Sequence, residues 1–313
     1  GSFRSARKIL LFPISALDRP ARLGYTQAVI VDCHAHVFPA AVRLERARFQ
    51  ARDAWFAALY GAPERKLACA EDVLAAMDAA GVDRTVLLGF PWRDPAICAL
   101  HNDYLIECVQ RYPDRLIGFA IVAPAGTGAA QELARSLDAG LRGCGEVGPD
   151  GQGFRLDSAH DLGPLAEVLM AYGRPLLTHC SEPLGHAYAG KGTVWPQQVV
   201  AAAGHFPDLR IIAAHWGGGL PFYELMPEVA AACGNVYYDT AASTYLYRFD
   251  IFRQVVALVG AERVLWGTDY PLLGQARFLA RTRAAGLAPA ALAAVLGGNA
   301  ARLLGLDPPA AGG

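Results

Sequence analysis

Eight short runs of β-branched and apolar residues alternate with Ala- and Leu-rich segments of helical period, and together they predict an α/β protein of the (β/α)8 TIM-barrel class. The ends of those runs carry a second observation: His34, His36, Glu146, His179, His215 and Asp269 each fall at or just past a strand's C-terminal end, the rim on which such barrels build their sites. A third removes the main rival. An open nucleotide-binding sheet should carry a glycine fingerprint directly after its first strand, where this chain has His34-Ala35-His36.

Taken in order, residues 1–27 read as an N-terminal extension outside the fold. Arg4, Arg7 and Lys8 before Ile9-Leu10-Leu11-Phe12 look faintly like a signal peptide, but Pro13 interrupts the apolar run and Asp18, Arg19 and Arg22 follow it without a small-x-small cleavage site. The barrel is expected over 28–305. Its strands are predicted at Ala28 to Val37, Thr85 to Phe90, Leu116 to Val122, Gly143 to Val147, Pro175 to Cys180, Arg210 to His215, Asn235 to Thr240 and Arg263 to Thr268. Helical period marks segments such as Ala70 to Ala80, Ile97 to Arg111, Leu162 to Tyr172, Pro196 to Ala203, Phe222 to Ala232 and Ile251 to Leu258. Residues 39–68 exceed a usual βα connection, and Trp55, Phe56 and Tyr60 within them predict a folded insertion that caps the barrel mouth or joins a subunit interface. Residues 306–313, rich in Pro, Ala and Gly, read as a flexible tail.

Composition narrows the function. A chain of 313 residues can hold one large α/β barrel or two smaller domains, and either could bury a full core. A formal net charge of −1 gives no reason to expect nucleic acid or an anionic membrane as partner, so the expected partner is a small-molecule substrate. No apolar run approaches the roughly 20 residues of a membrane span. Seven cysteines without metal-finger or CxxC spacing fit a reduced, cytoplasmic protein better than a disulfide framework, and Cys33 and Cys180 read as small buried packing residues. A homodimer is an open option that rests only on how common symmetric dimers are.

His34 and His36 stand two apart on a strand, so their imidazoles share a face and can grip one ion together. They open a set of four motifs: Val31-Asp32-Cys33-His34-Ala35-His36, Leu177-Thr178-His179, Ala213-Ala214-His215-Trp216-Gly217-Gly218 and Trp266-Gly267-Thr268-Asp269-Tyr270-Pro271. The set resembles the amidohydrolase superfamily, in its amidohydrolase-related (amidohydrolase 2) branch, over roughly residues 28–305. The resemblance implies that His34, His36 and Asp269 bind metal. Gly145-Glu146-Val147-Gly148 resembles the strand-four glutamate of the TatD-like deoxyribonuclease relatives, where a carboxylate bridges two ions. The carboxylated lysine of other members has no counterpart, because Lys8, Lys66 and Lys191 end no suitable strand.

Glu146 is then either a bridge, in a two-ion site completed by His179 and His215, or a carboxylate that supports the ligands or binds substrate. In decarboxylase members of the same branch one ion sits on the His-x-His pair, the strand-five histidine and the strand-eight aspartate, which leaves His215 free as general acid or base. Both roles of His215 stay open. Imidazole and carboxylate donors without thiolate suit Zn²⁺, with Mn²⁺ or Fe²⁺ as alternatives, in one or two copies.

The expected function is a metal-dependent hydrolase that turns a metal-activated hydroxide on a small ester, lactone or amide, with Asp269 passing the proton to the leaving group. The alternative is a mononuclear, non-oxidative decarboxylase of a small carboxylic acid. A barrel kept only as a binding scaffold is opposed by the intact ligand set. Around the site, His186 and Lys191 in the loop after the fifth strand, Trp216 beside His215, and Tyr245, Tyr247 and Arg248 after the seventh strand are candidate substrate-binding residues, giving aromatic walls and an anion anchor. His101, His160 and His205 lie in or beside helices and are expected in solvated or helix-end positions. Asp32 is assigned no role.

Overall fold

The computed structural model describes residues 29–306, so the expected extension and nearly all of the expected tail lie outside the described residues. Eight strands follow in chain order: β1 (Val31–His36), β2 (Arg84–Leu88), β3 (Leu116–Gly118), β4 (Cys144–Val147), β5 (Leu176–Thr178), β6 (Ile211–Ala213), β7 (Val236–Asp239) and β8 (Val264–Leu265). They pair in parallel as two arcs, β1-β2-β3 and β4 through β8. The bridges Ala120↔Cys144 and Ala35↔Tyr270 join the arcs, so the sheet closes into a barrel. Backbone bonds from Ala120 N to Gly143 O and from Cys33 N to Trp266 O, each 2.8 Å, hold the two seams.

The outer layer consists mainly of the helices Ala70–Ala80, Pro95–Arg111, Ala129–Asp138, Ala159–Ala171, Pro196–His205, Ile251–Val259 and Gln275–Arg283. Local chemistry sets their ends. Asp94 accepts from Ala96 N at 2.9 Å with Pro95 in the first turn, and Gly81 closes the preceding helix in the left-handed region at φ 70°. The expected helix from Phe222 to Ala232 is broken instead into Leu220–Tyr223 and Pro227–Ala232. Pro227 disfavours helical geometry at the residue before it, and Met226 is extended at φ −84°, ψ 119°.

Two apolar clusters divide the barrel. Val31, Cys33, Val86, Leu88, Ile117, Phe119, Leu177 and Ile212 fill the lumen, and Ala300, Leu303 and Leu304 of the helix Asn299–Leu304 plug its N-terminal end. The larger cluster lies between strands and helices. Each fully buried Leu, Ile or Phe contributes roughly 1.5–3 kcal/mol, so the lumen is a packed core, and the metal-ligand residues gather at its other end.

That polar end depends on two irregularities. In β1 the register slips between Asp32 and Ala35, so Val31 and Cys33 belong to the lumen while Ala35 packs outward. The face pattern is thereby inverted, and His34 and His36 turn inward together. In β4 the register slips between Cys144 and Val147, both of which pack outward, and Glu146 turns into the barrel between them. Gly145 is required there: its φ is +142°, and a Cβ would collide with the Leu177 carbonyl oxygen.

Residues 40–60 form three short helices, Ala40–Leu44, Arg46–Arg52 and Ala54–Tyr60. The third is capped by Asp53, which accepts from Phe56 N at 2.9 Å. Phe56 anchors it to the barrel, with its ring 4.7 Å from Trp92 and 5.2 Å from Phe90, centre to centre. This packing holds Leu59 and Tyr60 over the barrel mouth, where they line a cavity.

Candidate active site

All six predicted ligands converge at the C-terminal mouth. The Nε2 atoms of His34 and His36 lie 3.2 Å apart, and Asp269 Oδ1 lies 3.8 and 3.6 Å from them. Glu146 stands between this group and the other two histidines. Its Oε2 is 3.6 Å from His34 Nε2 and 3.4 Å from His36 Nε2, while its Oε1 is 3.1 Å from His179 Nδ1 and 3.4 Å from His215 Nε2. Two trios of donors result, His34/His36/Asp269 and Glu146/His179/His215, each with ligand atoms within 4.8 Å of one another. Two ring nitrogens facing each other at 3.2 Å leave one cation as their natural common partner, so the donors fit a divalent metal.

Backbone conformation aims two of these groups. Asp269 sits at φ 64° with its N–H bonded to His34 O at 2.9 Å, and His215 and Trp216 lie at φ 56° and 58°. Left-handed geometry is costly for residues with a Cβ and tends to gather at functional sites. At β6 this turn has a further effect, because it throws Trp216 back into the core.

The electrostatics follow from burying acids among imidazoles. Burial alone would raise Glu146, but His34, His179 and His215 around it hold its carboxyl well below the usual range. Burial alone would lower His215, yet Glu146, Asp269 and Asp239 raise it to about 9. His34 is likewise held well above its ordinary value against burial, by Asp239 and Glu146. The site therefore favours positive charge, as a proton or as a metal.

Two carboxylates given no part by sequence reasoning hold the ligands in place. Asp239 Oδ2 lies 2.8 Å from His34 Nδ1, which directs His34 Nε2 to the centre; its Oδ1 accepts from His215 N at 2.9 Å and Ala241 N at 3.0 Å. Position was the available signal, since Asp239 ends β7 as the histidines end theirs. Asp32 faces away from the lumen and accepts from Thr268 N (2.9 Å), Thr268 Oγ1 (2.6 Å), Gln275 Nε2 (2.8 Å) and His34 N (3.1 Å), tying β1 to the turn that carries Asp269. His101 corrects another expectation. It is fully buried, accepts from Trp92 Nε1 at 2.9 Å and donates to Val37 O at 2.7 Å, and burial lowers it to about 4.

A cavity of about 550 Å³ opens above the ligands, a volume suited to one small molecule. Of the predicted pocket residues, His186 and Tyr245 line it. Trp216 does not: it is fully buried, donates from Nε1 to Ser243 Oγ at 2.8 Å and packs on Phe252. Lys191 folds back on its own loop and donates to Leu184 O (2.7 Å) and His186 O (3.1 Å). Arg248 is exposed and pairs with Asp250 at 2.8 Å, and the Tyr247 hydroxyl is buried outside the cavity lining. Tyr60, Arg65, Lys66 and Tyr188 line the cavity without having been singled out as substrate contacts, because only the folded insertion and the bent loop after β5 bring them there.

Comparison with known proteins bears on the choice between the two chemistries. The chain is 26% identical to a gamma-resorcylate decarboxylase of Polaromonas sp. over 54% of its length and 64% of the relative's. It is 27% identical to a 2-amino-3-carboxymuconate-6-semialdehyde decarboxylase of Dictyostelium discoideum over 66% of each chain. These matches span just under two thirds of the relatives' own lengths. The fold is shared with a solved dihydroxybenzoic acid decarboxylase of Polaromonas sp. that holds manganese, with a TM-score of 0.71, 22% identity and coverage of 89% of this chain and 97% of that one. The expectation of a hydrolase is thereby corrected, since both curated relatives remove a carboxyl group. Physically, one set of imidazole and carboxylate donors serves either reaction, so the ligand motifs could not separate them. The family model described as Amidohydrolase matches residues 31–306, the whole barrel with its ligand set, and the chain belongs to that family.

Proposed function

We propose that this protein is a divalent-metal-dependent, non-oxidative decarboxylase of a small aromatic carboxylic acid. The observation that carries the reading is that both curated relatives are decarboxylases. The cavity supports it: Tyr60, Tyr188 and Tyr245 offer aromatic walls to a ring, and Lys66 and Arg65 add positive charge at the mouth. His34, His36 and Asp269 would hold the ion, with Glu146 and His179 beside them; Mn²⁺ is the favoured metal, as in the solved dihydroxybenzoic acid decarboxylase. When bound, the metal supplies a fixed positive centre that orients the anionic substrate.

His215 supplies the proton. Its Nδ1 is tied to Ala241 O at 3.3 Å, which leaves Nε2 on the cavity side, and Glu146, Asp269 and Asp239 around it favour its protonated form. The proton passes to the ring carbon that bears the carboxylate, the C–C bond breaks, its electron pair returns to the ring, and carbon dioxide leaves. Tyr60 and the insertion cover the mouth and limit water around the reacting carbon.

The test is to incubate the manganese-loaded protein with hydroxybenzoic acids in deuterated water. Release of carbon dioxide with one deuterium on the former carboxyl carbon is expected. Hydrolysis of aryl esters or lactones without carbon dioxide release from any acid would overturn the reading.

A further inference from the structure

The end of the barrel opposite the ligands carries a concentration of positive charge that decarboxylation does not use. Arg142, Arg174 and Arg210 stand one or two residues before three adjacent strands, β4, β5 and β6. All three turn to the end of the plugging helix Asn299–Leu304. Arg142 and Arg174 donate to Leu304 O at 3.5 Å each, and Arg210 donates to Leu303 O at 3.2 Å and to Gly173 O.

Capping the helix does not account for three guanidinium groups. A helix C-terminus carries about half a negative charge, so about two and a half positive charges remain. The two bonds at 3.5 Å are at the limit of hydrogen bonding, and most of the five N–H donors on each guanidinium have no acceptor among the described residues. Among the described residues no carboxylate pairs with any of the three, whereas Arg115 and Arg263, which precede β3 and β8, are paired to Asp78 and Glu224. All three are half-buried, and Arg174 is pulled below its ordinary range by burial and by the charges of Arg142 and Arg210.

We infer that Arg142, Arg174 and Arg210 form an anion site at the N-terminal end of the barrel that takes a phosphate dianion. Guanidinium forks match tetrahedral oxyanions in bidentate fashion, and a dianion matches the charge left over. Such a ligand would tie β4, β5 and β6 to the helix that plugs the lumen, and its primary effect is on stability.

Thermal unfolding of the manganese-loaded protein, freed of excess metal, tests this with inorganic phosphate against chloride at matched ionic strength. A saturable rise in Tm specific to phosphate is expected, weakened at least tenfold in apparent affinity in Arg174→Gln and in Arg142→Gln, with metal content and turnover unchanged in both. Two single variants guard against one failing to fold. No difference between phosphate and chloride would overturn the site, as would a phosphate response that persists in both variants, which would place the anion elsewhere. Asp307 follows the described residues and is the nearest carboxylate in sequence. A response that appears only in Asp307→Asn would mean that the chain's own carboxylate fills the site, and would also overturn the proposal.

Discussion

Replacing Asp239 by Asn changes one atom and should cripple the metal site through a tautomer. Asp239 and His34 are both fully buried, so neither can turn to water for a new partner. The Asp239 Oδ1 position receives two backbone donors, His215 N at 2.9 Å and Ala241 N at 3.0 Å, and only the amide oxygen can accept them. The new NH₂ group must therefore face His34 Nδ1, 2.8 Å away. His34 then either meets a donor with a donor or moves its proton to Nε2, the atom 3.2 Å from His36 Nε2 that should be free to bind metal. Loss of such an orienting carboxylate typically costs 10–100-fold in metal affinity, or about 1.4–2.8 kcal/mol. Competition between the protein and a chelator for Mn²⁺ measures the loss, with circular dichroism melts as the control for folding. An affinity within threefold of the native protein, at unchanged turnover, would refute the tautomer argument.

Three further outcomes are expected. His215→Asn should lower turnover by about 10²–10⁴-fold while metal content stays unchanged; loss of metal instead would make His215 a ligand rather than the proton donor. Phe56→Ala should destabilise the protein by about 3–5 kcal/mol in denaturant titrations, and raise KM by loosening Tyr60 over the cavity. His101 is held to about 4 in the fold by burial against 6.5 in the unfolded chain, so the unfolded state binds the extra proton and stability is lost as pH falls from about 6.5 towards 4, by at most about 3 kcal/mol. Urea midpoints across that range should fall more steeply for the native protein than for His101→Gln, and parallel slopes would refute the assignment.

What could be read from the sequence, and what could not, divides along a physical line. Residue type and strand position are written directly in the chain, and together they brought His34, His36, Glu146, His179, His215 and Asp269 to one rim. Side-chain direction is not written there, because it depends on the slips in β1 and β4 and on left-handed backbone at His215, Trp216 and Asp269. Strict alternation from Cys33, a lumen residue, would have turned His34 outward; the slip turns it in. The same kind of local turn removed Trp216 from the pocket although it adjoins a site residue. Asp32 and Asp239 were given no task because a buried carboxylate reveals its task only through its partners, which lie 236 and 205 residues away for Thr268 and His34.

The choice of reaction was hidden more deeply still. The donor set is common to water activation and to carboxylate orientation, so the distinction rests with the chamber above it. That chamber is lined by the insertion, by the bent loop after β5 and by the turns after β7 and β8, whose contacts are set by how these segments fold over the mouth. On the proposed reading, specificity lies with the segments that line this chamber, while the strand ends carry the metal and proton chemistry. Exchanging residues 59–66 or 186–190 should accordingly change which acid is accepted before it changes whether decarboxylation occurs.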